Sequence, residues 1–180
     1  MESPSSVFSE WAAFYTLTGS SAAALTGLTF VVITLLRDSQ RRAGTGGIAR
    51  VSAATVAHFT AALMISGILL APWPMLLVPC TLLAAAGAAG VSYQCRLLVY
   101  SLRFSEYTPD AEDWTWYTFL PMFAYAVILG SAVALSIAPQ HAMYAPAAGV
   151  ALLILVGIHN SWDIVTYITI SDPASGDKPS

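Results

Sequence analysis

Charge is what this chain has least of. Asp, Glu, Lys and Arg make up only 9% of its 180 residues, against about a quarter in an ordinary soluble domain. Apolar and aromatic residues make up 57% and the mean hydropathy is +0.68. That balance excludes a soluble globular domain. Seven basic residues with no patch interleaved by aromatics exclude a nucleic-acid partner. The net charge of −3 says little more, because in so apolar a chain the placement of charge matters more than its sum.

Other absences narrow the chemistry. There are two cysteines, Cys80 and Cys95, with no CxxC pairing, so a disulfide framework is not expected and both read as ordinary core thiols. No serine lies in GxSxG and no HExxH occurs. Gly44-Thr45-Gly46-Gly47 lacks the lysine and the preceding strand of a phosphate cradle, and reads as a flexible linker. No catalytic constellation emerges, and neither an enzymatic activity nor a cofactor is expected. Period-two alternation is missing too, which excludes a barrel.

What is present is a succession of runs long enough to cross a hydrocarbon layer of about 30 Å as helices. The expected architecture is an all-α integral membrane bundle of five spans, near residues 14–36, 52–70, 75–100, 116–137 and 146–170. Residues 1–172 form one transmembrane domain in this reading, and the polar stretch 173–180 a disordered tail. Pro72 and Pro74 force the second turn. Thr108-Pro109 followed by Asp110, Glu112 and Asp113 marks a helix start before the fourth span. No basic residue precedes Arg37, so the first run reads as a retained helix and not a cleaved signal.

Five spans place Arg37, Arg41, Arg42, Arg50, Arg96, Arg103 and Lys178, all seven basic residues, on one side. The positive-inside rule makes that side cytoplasmic, with the amino terminus outside and the carboxyl terminus inside. Aromatics fit as interfacial belts, with Trp11, Tyr15, Trp73 and Tyr144 outside. Tyr100, Phe104, Tyr107, Trp114, Trp116 and Tyr117 form the inner belt. The Ala84–Gly90 run makes the third span smooth and marks it as the central packed helix.

Polar residues interrupt the fifth span, in Gly157-Ile158-His159-Asn160-Ser161-Trp162-Asp163-Ile164-Val165-Thr166-Tyr167. His159, Asn160, Asp163, Thr166 and Tyr167 share a helical face. Measured from helix ends near Ile170 and Ser52, Asp163 and His58 lie at similar depth, roughly 10 and 9 Å inside. Tyr93, Gln94 and Arg96 lie near that depth on the third span. One inner-leaflet polar layer joining spans two, three and five is therefore expected. A carboxylate there costs at least about 2.5 kcal/mol, so it must pair, hydrate or protonate. Three readings stay open: an ion pair with Arg96 or His58 that holds helices in register, a proton or cation pathway through His159 and His58, or a metal site of His58, His159 and Asp163.

In the first span Gly19, Ala23 and Gly27 recur every four residues. Small residues at that spacing let membrane helices approach closely, either within one chain or between copies. Its hydroxyls also admit a pore-lining role, although such groups can bond back to their own helix.

The opening Trp11-to-Asp38 stretch, with Leu25-Thr26-Gly27-Leu28 and Phe30-Val31, resembles a family of small bacterial multi-pass membrane proteins. So does the final stretch, in which Asn160 and Trp162 stand two apart. The resemblance covers the first and last fifths of the chain, implies a bacterial inner-membrane protein and assigns no activity. The expected role is a scaffold or modulator that binds itself or another membrane protein. An oligomeric proton or cation channel is the rival, and an intramembrane metalloenzyme a third possibility.

Overall fold

The computed structural model describes residues 4–35, 46–104 and 110–171. They form α1 (Pro4–Glu10), α2 (Ala12–Leu35), α3 (Gly46–Leu70), α4 (Leu77–Phe104) and α5 (Ala111–Trp114). A π-helical turn (Thr115–Phe119) then leads into α6 (Leu120–Ile137), followed by α7 (Pro139–Ala142) and α8 (Tyr144–Ser171). There is no strand among the described residues. Among the described residues, five helical stretches are long and apolar enough to cross a membrane: Ala12–Thr34, Ser52–Leu70, Leu77–Arg103, Ala111–Ile137 and Pro139–Thr166. The expected disordered tail, the loop residues 36–45 and the Thr108-Pro109 step lie outside the described residues.

Local chemistry sets the breaks. Asp110 caps α5: its carboxylate accepts the Asp113 N–H at 2.8 Å, and the Asp113 carboxylate accepts the Asp110 N–H at 3.4 Å. Between α3 and α4 the Trp73 indole N–H donates to the Ile68 carbonyl at 2.6 Å, satisfying an end-of-helix acceptor. Ala138, at φ −143° and ψ 74°, leaves the helical region directly before Pro139, as a pre-proline residue tends to.

The helices pack in the order α2, α3, α8, α6, α4, with lighter contacts between α3 and α4 and between α2 and α8. The interior positions are therefore held by α3, α8 and α6, the last with 39% of its span buried. Half of the α8 span is buried and 44% of the α3 span, against 22% for α4 and 17% for α2. This corrects the central place expected for the Ala84–Gly90 run. Its smoothness serves one face only. A Cβ at Gly87 would come within 2.6 Å of the Leu129 backbone nitrogen, and at Gly90 the Tyr125 ring occupies the space. Close approach to α6 supplies the packing that drives membrane helices together where lipid removes the hydrophobic incentive, and the rest of α4 faces outward.

α1, which the hydropathy pattern does not announce, buries Val7 at the end of the bundle where Trp11 meets Tyr144 edge-to-face, ring centroids 4.8 Å apart. Tyr15, expected as an interfacial belt residue, is fully buried and donates its hydroxyl to the Met143 carbonyl at 3.2 Å.

Candidate functional site

At the opposite end of the bundle, α8 turns His159 and Asp163 toward the π-helical turn. The Tyr117 hydroxyl donates to Asp163 Oδ2 at 2.8 Å, and His159 Nε2 lies 3.3 Å from the same oxygen. The Trp116 indole stacks on the His159 ring, centroids 3.8 Å apart and planes 17° from parallel. The carboxylate therefore has two polar partners, one on its own helix and one across the bundle. Both side chains stay partly accessible, 23% for His159 and 38% for Asp163.

A proline explains why Trp116 and Tyr117 point this way. Pro121 has no N–H to give the carbonyl four residues back, at Tyr117, and its ring crowds that carbonyl. The backbone widens over Thr115–Phe119, and Leu120 N–H reaches five residues back to the Thr115 carbonyl. Gln94 Nε2 on α4 then donates to the Tyr117 carbonyl at 2.5 Å. Three spans thus converge on one tyrosine: α4 holds its backbone and α8 takes its hydroxyl.

His58 belongs to a different level. It is 1% exposed on α3, with Nδ1 2.9 Å from the Tyr125 hydroxyl on α6. The neighbouring Phe59 ring fills the space at Gly157 of α8. Because α3 and α8 run in opposite directions, that contact sets Asp163 opposite about Ala53 and separates it from His58 by roughly 7 Å along the axis. Depths counted from Ser52 mislead because α3 begins six residues earlier, at Gly46.

The single layer expected across spans two, three and five is therefore two levels, each anchored on the fourth span. Arg96 is exposed, and Asp163 takes Tyr117 and His159 in place of Arg96 or His58. Tyr93 is half-buried on α4, one turn from Gly90 and close to Tyr125. Thr166 donates to the carbonyls of Trp162 and Asp163 on its own helix. The Tyr167 side chain lies outside the described residues. No group of three His, Cys, Asp or Glu is arranged to hold a metal among the described residues. Cys80 and Cys95 are free thiols.

Asn160 stands apart. Its side chain is fully buried, yet neither its amide nitrogen nor its oxygen has a partner among the described residues, and the same holds for Gln94 Oε1. Such groups cost about 1–3 kcal/mol each when left unpaired.

Of the small-residue row on α2, only Gly19 packs inward, where a Cβ would meet Ser66 Cβ at 3.0 Å. Ala23 and Gly27 are exposed, with nothing within 4 Å of a Cβ at Gly27. The hydroxyls of Thr26, Thr29 and Thr34 donate to carbonyls of α2 itself.

Comparison with known protein families, with curated proteins and with solved structures gives no match to this chain. The functional reading rests on its own residues.

Proposed function

We propose that this chain is a non-enzymatic multi-pass protein of the bacterial inner membrane that acts as a scaffold or modulator, associating with itself or with a membrane-protein partner through its helix faces. The observation that carries the reading is that the polar groups capable of ion handling are tied to one another within one chain: His58 to Tyr125, and Asp163 to Tyr117 and His159. A further support is the outer face of α2, where Ala23 and Gly27 lie exposed between Leu17, Leu28 and Val31. That face is smooth enough for a second helix to approach closely. The amino terminus lies outside and the carboxyl terminus in the cytoplasm, because five crossings gather all seven basic residues on one side.

Subunit counting in single nanodiscs tests the association. Wild type is expected as a defined oligomer. Ala23→Leu with Gly27→Leu should yield monomers with an unchanged melting temperature, because neither site is packed within the chain. Gly19→Leu should instead lower the melting temperature through its contact with Ser66. A wild type that stays monomeric at all protein-to-lipid ratios would refute self-association.

A second reading, an oligomeric proton or cation channel, draws support from Asn160, buried with free donors and acceptor one turn from the accessible Asp163.

A further inference from the structure

A groove of about 110 Å³ runs between α2, α3 and α8, lined by Leu25, Leu28, Val32, Ile33, Ile164 and Val165, with Thr29, Ser52 and Ser161 as its polar residues. Two of those hydroxyls are already used: Thr29 donates to the Leu25 carbonyl at 2.7 Å and Ser161 to the Gly157 carbonyl at 2.8 Å. Ser52 differs. It is 4% exposed, and its Oγ has no partner among the described residues. A helical serine ordinarily bonds the carbonyl one turn back, as Ser161 does here, so the Ser52 hydroxyl is a buried, unpaired donor in the wall of an apolar groove.

We propose that this groove seats one acyl chain of an anionic glycerophospholipid, whose ester carbonyl accepts the Ser52 hydroxyl. The proposal rests on the membrane reading above. The groove lies within the apolar belt, beside the exposed side chains of Leu28, Val31 and Val165, and is open to that side. Leu25 to Ile33 spans roughly 12 Å of helix, most of the ~15 Å that one leaflet's hydrocarbon occupies. Its volume suits a stretch of one chain and not a headgroup. Ser52 sits toward the end of α3 where its first turns begin, the level at which an ester carbonyl meets the headgroup region. Charge favours an anionic head: Arg37, Arg41, Arg42 and Arg50, four of the seven basic residues, fall in sequence between Ile33 and Ser52, the groove residues at the ends of α2 and α3.

The test is native mass spectrometry of the full chain, released from mild detergent after titration with phosphatidylglycerol or phosphatidylcholine. The wild type is expected to retain one phosphatidylglycerol per chain and to prefer it to phosphatidylcholine. Ser52→Ala should weaken retention about fivefold, the value of one ordinary hydrogen bond. Leu28→Trp, at the exposed rim where folding is undisturbed, should abolish it. No adduct on the wild type, or equal affinity in all three proteins, overturns the proposal. Lipid retention unaltered by Leu28→Trp overturns it as well, whatever the subunit number does, because Leu28 also borders the association face proposed above. Equal retention of both lipids overturns the anionic head. A chain that an alkaline wash strips from vesicles would defeat the membrane reading itself, an outcome distinct from all of these.

Discussion

The two histidines of the bundle interior, His58 and His159, share a residue type and a tyrosine-bearing neighbour from the fourth span, yet they sit in opposite circumstances. His58 is sealed, 1% exposed, with the Tyr125 hydroxyl as its hydrogen-bond partner. His159 lies between a stacked indole and a carboxylate, 23% accessible. A sealed polar pair has no water to fall back on, so losing either partner leaves the other buried and unpaired. An accessible cluster can exchange a lost partner for water, so each of its bonds is worth less. The closed pair ties α3 to α6 through their side chains. The open cluster is where this bundle can meet something outside itself.

That contrast predicts a ranking of substitutions. The largest loss is expected for His58→Ala, which empties a buried site and orphans the Tyr125 hydroxyl, at about 3 kcal/mol or more by reversible unfolding in micelles. Tyr125→Phe should follow at about 1–3 kcal/mol, since His58 is then left unpaired. Tyr117→Phe and Asp163→Asn should each stay within about 1 kcal/mol, coupled in a double-mutant cycle by roughly 0.5–1 kcal/mol. If Tyr117→Phe proves as damaging as Tyr125→Phe, the open cluster is in fact closed and the comparison fails.

Smaller effects sharpen the same distinction. Diethyl pyrocarbonate should modify His159 and leave His58 untouched in the folded protein, as read by peptide mass spectrometry. Reaction at both histidines with equal rates would place them in one environment. Trp116→Leu, at a half-buried ring stacked on His159, should cost about 0.5–1.5 kcal/mol. It should also remove the upfield ring-current shift that the stacked indole imposes on the His159 ring protons. An unshifted His159 in the wild type would deny the stacking.

Much of the architecture is legible in the residues alone. Five apolar runs match five helices long and apolar enough to cross a membrane, where lipid would leave the backbone no other way to satisfy itself, and Pro72, Pro74 and Pro139 stand at breaks between them. The polar residues of α8 are equally visible. Their partners are not, because pairing depends on axial register. An offset of six residues in the start of α3 is enough to slide His58 past Asp163. The fourth span was the hidden partner. Tyr117 reads as an interfacial aromatic, and Pro121 alone hints that its carbonyl needs a donor from another helix. The order of packing is also illegible, since the Ala84–Gly90 run announces close approach but not that it occurs on one side only.

The most direct test of the account is proton and monovalent-cation flux into liposomes holding the purified protein, beside Asp163→Asn at matched folding. A chain whose polar groups are tied to one another should conduct no more than protein-free vesicles, and the variant should be equally silent. Flux through the wild type that disappears in Asp163→Asn would contradict the scaffold reading and make the His159–Asp163 cluster part of a conduit.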